Sequence, residues 1–191
     1  MNYLAHLLLS GTNEELMLGN FIADHVKGSS INSYSPEVQR GIVIHRMIDH
    51  FTDQHEVTAL GKIRLRPYVN KYAPVALDVI YDHYLARNWE LYHQEKLSTF
   101  LEYAYGILDK HKAIMPEKTQ YMYTYMRRDN WLGNYIFPEG ILKALSGLSR
   151  RTKFEFNLHM AFDCMMNEYT VFEKEFNDFF PLLHAEIKSK W

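Results

Sequence analysis

His45, Asp49 and Asp53 stand at four-residue intervals, so one helix would carry all three on a single stripe. Asp78 and Asp82 repeat that spacing further along, with His83 about 100° around the same axis. Imidazoles among several carboxylates suit a hard or borderline divalent ion such as Mn²⁺, Mg²⁺ or Fe²⁺, because oxygen ligands dominate and no thiolate accompanies them. A metal-activated water is the natural output of such a set. Asp78 lies among Leu77, Val79 and Ile80, where a carboxylate without a partner is costly. Asp24 follows Leu18, Phe21 and Ile22 on what reads as the last turn of a helix, where a negative charge opposes the helix dipole. Recruitment to a cation accounts for both. His45 with Asp49 reads equally as an ordinary helix-surface pair worth only a few tenths of a kcal/mol. His159 and Asp163 share the spacing, but nothing nearby completes a ligand set, and they read as structural. Other catalytic templates fail: there is no P-loop, no G-x-S-x-G elbow, no H-E-x-x-H, and only Glu90 to His93 matches the repeated motif of a di-iron bundle. Cys164, among Phe162, Met165 and Met166, reads as core.

The elements that must position these residues are helices. Hydrophobic periods of helical type run along the chain, hairpin turns of the Asn-Gly or Asp-Gly kind are missing, and only Tyr121 to Met126 competes as a strand. Helices are expected near 2–10, 13–27, 36–54, 56–65, 70–95, 98–113, 117–128, 138–148 and 152–187. Thr12 with Glu15, and Thr152 with Glu155, fit the capping box, and Ser35 before Pro36 is a third start. The expected fold class is all-α, a helical bundle. Breaks fall at Gly28–Ser30, Pro67, Pro116, Gly133–Pro138 and Gly147–Ser149, all too short for a domain linker, so residues 1–191 read as a single domain.

A chain of 191 residues is long enough for one well-buried core, and a net charge of −2 excludes a globally basic nucleic-acid coat. The single cysteine can form no internal disulfide and suits a reducing compartment. No apolar run approaches the roughly 18 residues of a membrane span, and MNYLAHLLLSG lacks the cationic start and cleavage site of a secretory signal. A cytoplasmic location, with no membrane or nucleic-acid partner, is the expectation.

Four strings, MNYLAHLLLSG, LGNFIADHVKG, GIVIHRMIDHFTDQH and APVALDVIYDHYLARNW, in that order and spacing, resemble the acyl carrier protein phosphodiesterase family. The likeness is strongest from Met1 to Trp89 and continues more loosely through SGLSRR to FFPLL, essentially the whole chain. That family is similar to the HD-type metal-dependent phosphohydrolases, all-α folds in which histidines and aspartates of several helices hold a divalent ion. The resemblance implies hydrolysis of the phosphodiester between a serine of holo acyl carrier protein and 4′-phosphopantetheine, releasing apo carrier protein, with Mn²⁺ as the usual ion. It also singles out His6, Asp24, His45, Asp49, Asp53, Asp78, Asp82 and His83. One departure stands out: no His-Asp dipeptide occurs, whereas Asp-His occurs three times, so the ligand order of the wider HD pattern is rearranged. His25, His50 and His159 lie outside the matched positions.

The expected metal ligands are therefore His45 and Asp49 with one or more of Asp24, Asp78 and Asp82, and the expected catalytic positions are His6, Arg46, Asp53 and His83. An aspartate would take the proton of the attacking water, His6 or His83 would protonate the departing serine oxygen, and Arg46 would neutralise phosphoryl charge. An acidic carrier protein calls for a basic docking surface, with Lys62, Arg64 and Arg66, Arg127 and Arg128, or Arg150, Arg151 and Lys153 as the clusters to supply it. Two other readings compete: an HD-like hydrolase of a nucleotide or other small phosphoester, and a non-enzymatic helical binding module.

Overall fold

Ser35 and Pro36 show how locally the chain specifies its helices. The serine hydroxyl accepts the Val38 N–H at 3.3 Å, and the proline, which has no N–H to lose, occupies the first turn. In the computed structural model, which describes residues 1–150 and 158–190, the elements among those residues are all helical. They are α1 (Tyr3–Leu8), α2 (Glu14–Ile22), α3 (Pro36–Gln54), α4 (Glu56–Val69), α5 (Ala73–Arg87), α6 (Leu97–Lys110), α7 (Glu117–Arg128), α8 (Trp131–Asn134), α9 (Pro138–Ser149), α10 (His159–Asn167) and α11 (Tyr169–Lys188). Tyr121 to Met126 is helical, and the all-α expectation holds. No helix among the described residues is long and apolar enough to cross a membrane.

Several boundaries depart from the sequence reading for local reasons. Asn13, not Thr12, caps α2, its side-chain oxygen taking the Leu16 N–H at 2.9 Å, while Glu15 accepts from the Ser35 hydroxyl instead of closing a capping box. That helix stops at Ile22, and Asp24 falls in a 3₁₀ turn, Ala23–His25. The long helix expected over 70–95 is trimmed at both ends: Asn70 adopts φ 46°, Pro74 sits in the first turn of α5, and a separate 3₁₀ turn forms at Trp89–Leu91. The helix expected over 152–187 is interrupted at Glu168, whose φ of −120° and ψ of 35° separate α10 from α11. The cap at Thr152 and Glu155 lies outside the described residues, as do Arg151 and Lys153.

Residues of α5 are buried nearly all round, from Ala76 and Leu77 through Tyr81 and Tyr84 to Ala86. A helix without a polar face belongs at the centre, and α5 packs against α1, α4, α9, α10 and α11. Tyr81, Phe176 and Phe179 interlock in this core with ring centroids 5.7 to 5.8 Å apart.

Helices α2 and α3 pack backbone against backbone, and glycine makes it possible. A Cβ on Gly19 would lie 2.0 Å from the Val38 carbonyl oxygen, and one on Gly41 would lie 2.2 Å from that of Leu16. The two backbones touch where side chains would hold them apart. His45 follows Gly41 by one turn, so this contact sets its imidazole against the end of α2.

Candidate active site

His6, Asp24, His45 and Asp49 come together from α1, the turn after α2, and α3. The two imidazoles stack with centroids 4.1 Å apart, and both turn Nε2 toward Asp49, at 3.2 Å from His6 and 3.1 Å from His45. Asp24 approaches His45 Nε2 at 3.3 Å. The imidazoles form a buried floor, with side chains 3% and 7% exposed, while Asp49 and Asp24 stand at the rim, 41% and 57% exposed. The site is an open dish. A cleft of about 750 Å³ elsewhere, lined by Arg87, Trp89, Tyr105 and Arg127 among others, includes none of these residues.

The charges on the pair differ. Burial works to lower the pKa of His45, but its hydrogen bonds to Asp24 and Asp49 outweigh that and push it up to about 9. Burial and the neighbouring His45 charge lower His6, against the pull of Asp49. The pair thus favours the proton on His45, with His6 pushed toward its neutral form. Burial alone would raise Asp49; the two histidines bonded to it hold its carboxyl far below the usual range. The hydrogen bond with His45 likewise lowers Asp24.

Asp78 joins the group indirectly. Its Oδ1 lies 2.9 Å from the Met1 α-ammonium, which is also 3.9 Å from Asp49. Asp82, expected as a ligand, has a different task, since its two oxygens accept the Leu4 and Ala5 N–H groups at 2.7 and 3.3 Å. Those amides are orphan donors of the first turn of α1, so Asp82 caps that helix from 77 residues away or more. It is fully buried, and burial pushes its carboxyl up to about 7 although the two amides pull the other way.

Three expected catalytic residues stand apart. His83 is buried on another face of α5, its Nδ1 2.7 Å from the Tyr135 carbonyl and its Nε2 2.6 Å from the Tyr169 hydroxyl. Both ring nitrogens are spent on core hydrogen bonds, because the 100° step from Asp82 turns the ring away from the cluster. Asp53, one turn beyond Asp49, is exposed and pairs with Lys62 at 3.4 Å. Arg46 is exposed on the outer side of α3 and no contact joins it to the cluster. Of the six expected docking cations among the described residues, four are engaged within the chain: Lys62 with Asp53, Arg64 with Glu168 and Glu175, Arg127 with Asp109, and Arg128 with Asp129. Arg66 and Arg150 are exposed. His159 and Asp163 form the surface pair that their spacing implied, at 3.4 Å. Cys164 is buried and free, and burial pushes its thiol up to about 11.

Sequence reasoning overlooked Asn20. Fully buried, it accepts the His6 Nδ1–H on its side-chain oxygen and the His45 Nδ1–H on its backbone carbonyl, each at 2.8 Å. The available signal was a lone amide inside the apolar run Leu16–Ile22.

The donor set fits a divalent cation. One nitrogen each from His6 and His45 and one Asp49 oxygen lie within 4.8 Å of one another, among the described residues. Mixed nitrogen and oxygen donors without thiolate match ions such as Mn²⁺ or Fe²⁺. The two Nε2 atoms converge there with the Asp49 and Asp24 carboxylates, where a cation would take the place of the proton that His45 carries.

No solved structure matches the chain, so the HD-type likeness rests on sequence resemblance. The family model described as acyl carrier protein phosphodiesterase matches residues 1–183. Proteins named acyl carrier protein phosphodiesterase from Photorhabdus laumondii subsp. laumondii and Serratia proteamaculans are each 32% identical over 191 residues, covering all of this chain and 96% and 99% of those proteins. The one of that name from Yersinia enterocolitica is 31% identical, covering all of this chain and 99% of that protein. With the model match running from the residues of α1 through those of the cluster to α11, the chain belongs to the acyl carrier protein phosphodiesterase family.

Proposed function

We propose that this protein is a metal-dependent hydrolase that cleaves the phosphodiester between 4′-phosphopantetheine and a serine of holo acyl carrier protein, releasing apo carrier protein. The observation that carries this reading is the convergence of His6, His45, Asp49 and Asp24 in an open dish within a chain of this family. A phosphodiester on the surface of a folded protein requires a site reachable without deep entry, and the exposed rim provides one.

His6 Nε2, His45 Nε2 and Asp49 would hold the cation, with Asp24 completing the set at the rim. A bound divalent ion there supplies an acidified water and neutralises phosphoryl charge. His45 surrenders its Nε2 proton when that nitrogen becomes a ligand. With that proton gone, the Asp24 oxygen now on His45 would be free for the cation, and its second oxygen would accept a proton from the attacking water. His6 in this arrangement is a ligand, and the His83 ring is held in the core by both nitrogens, so the departing serine oxygen would take its proton from solvent at the exposed rim, while the proton of the attacking water goes to Asp24. Asp78 and the Met1 ammonium flank the dish with one charge of each sign. Mn²⁺ is the proposed ion, and the cytoplasm the proposed location, supported by the lone unpaired Cys164 and by the substrate.

Intact-mass spectrometry of holo carrier protein incubated with the chain and Mn²⁺ tests the reading. The expected product is apo carrier protein with phosphopantetheine released. An unchanged carrier-protein mass, with Mn²⁺ bound to the chain, would reject it.

A further inference from the structure

Asn20 reaches both histidines of the cluster, and its hydrogen bonds leave little freedom in how either ring is protonated. Its Nδ2 donates to the His6 carbonyl oxygen at 2.8 Å and to the Ser10 hydroxyl at 2.9 Å, and that hydroxyl itself donates to the His6 carbonyl. Two acceptors around Nδ2 fix the orientation of the amide, because a flipped side chain would set its oxygen against the His6 carbonyl. The amide oxygen therefore faces His6 Nδ1 at 2.8 Å, and an oxygen can only accept. The backbone carbonyl of Asn20 faces His45 Nδ1 at the same distance, under the same constraint. Each imidazole thus has an acceptor at Nδ1 that calls for a proton there, which makes Nε2 the nitrogen a cation would take: in His45 the ion would displace the Nε2 proton, and in His6 it would enter between Nε2 and the two oxygens that face it, the Met1 carbonyl at 3.1 Å and Asp49 at 3.2 Å. Both Nε2 atoms are those that approach Asp49.

We propose that Asn20 is a positioning residue that writes the tautomer of both metal-binding histidines, its side chain for His6 and its main chain for His45. A histidine ligand whose other nitrogen donates to an oxygen is oriented and made more basic, and loss of such a partner typically costs about 10- to 100-fold in metal affinity. Here one fully buried residue serves two rings, which ties both to the end of α2. The geometry that allows it is the glycine contact between α2 and α3, since only backbones this close let a ring on one helix reach a carbonyl on the other. This inference rests on the divalent-cation reading above.

The test has two readouts on the full chain, neither of which is activity. Long-range ¹H–¹⁵N spectra of the metal-free protein, with His6 assigned by loss of its signals in His6→Gln, report which ring nitrogen is protonated. Electron paramagnetic resonance follows a titration with Mn²⁺ alone. The wild type is expected to show His6 protonated at Nδ1. Asn20→Leu, which keeps the backbone carbonyl but removes the side-chain acceptor, should let the Nε2 form appear in His6 and weaken Mn²⁺ binding about 10- to 100-fold. Asn20→Asp, which keeps an acceptor oxygen at Nδ1, should retain the Nδ1–H form and serves if the leucine variant does not fold. A wild-type His6 protonated only at Nε2 would overturn the proposal, as would unchanged tautomer and unchanged Mn²⁺ affinity in Asn20→Leu. No Mn²⁺ binding by a wild type whose His6 is protonated at Nδ1 would overturn the cation reading instead, with the tautomer assignment upheld.

Discussion

Replacing Gly41 by alanine places a methyl carbon 2.2 Å from the Leu16 carbonyl oxygen and 2.9 Å from the Asn20 nitrogen, both backbone atoms of α2. Neither can rotate aside, so α2 and α3 must separate by about 0.8 Å to bring the shorter contact to even 3.0 Å. The hydrogen bond from His45 Nδ1 to the Asn20 carbonyl, now 2.8 Å, would then stretch beyond the range in which it contributes. Overpacking costs about 1–3 kcal/mol and an unsatisfied buried polar group about 1–3 more, so Gly41→Ala should lose about 2–6 kcal/mol. Gly106 supplies the control, because it lies in the exposed part of α6 and a Cβ there meets nothing within 4 Å. Gly106→Ala should gain about 0.5–1 kcal/mol from helix propensity and a more restricted unfolded chain. Urea denaturation of both variants at equal ionic strength measures the pair. A Gly41→Ala midpoint within about 1 kcal/mol of wild type would refute the close-contact account and, with it, the reason given for the placement of His45.

Other expectations concern charge and the residues outside the cluster. At pH 7 His45, with a pKa near 9, carries a proton that a cation must displace, so calorimetry in buffers of different ionisation enthalpy should find close to one proton released per Mn²⁺ bound; no release would contradict the assignment of His45 as a ligand. In the metal-free protein the raised pKa of His45 adds stability that is complete below its unfolded value of 6.5 and fades as pH rises through about 9, by about 1–2 kcal/mol after allowance for the exposed rim, measurable as a falling urea midpoint across that window. Asp82→Leu should cost about 2–4 kcal/mol by stranding two amides of α1, and restored stability at low pH would argue against the capping role. His83→Gln should lower stability by about 1–3 kcal/mol yet leave Mn²⁺ affinity unchanged, and a large loss of affinity would return His83 to the active site.

The helices and half of the cluster were legible because they depend on neighbours in sequence. His45 and Asp49 are one turn apart, and that spacing alone predicts a shared face; Ser35 and Pro36 mark the cap and the first residue of their helix. Asp24 was marked by chemistry, as a carboxylate in a place where propensity gives it no reason to be. What the sequence did not reveal are contacts between distant segments. Asp82 looks like a ligand by its spacing from Asp78, but its partners are amides of α1, and no local pattern encodes a cap supplied from another helix. Periodicity likewise could not say that the next residue, His83, faces Tyr135 and Tyr169. Gly19 and Gly41 carry no side chain to betray a face, and Asn20 reads as an interruption of an apolar run until the rings above it are in view.

The cap on α1 has a consequence for when the site can exist. Six residues are too few for a helix to persist in water, and the amides that Asp82 secures are those at the start of the segment that holds His6. During synthesis, at about 5–20 residues per second, the His6 segment waits for several seconds before residue 82 is made. Until α5 docks, His45 and Asp49 can share a helical turn, but the ring that stacks on His45 has no fixed place. A nascent chain therefore presents only a helix-surface pair, and assembly of the cluster, with any ion it takes on the reading proposed above, is coupled to completion of the core around α5.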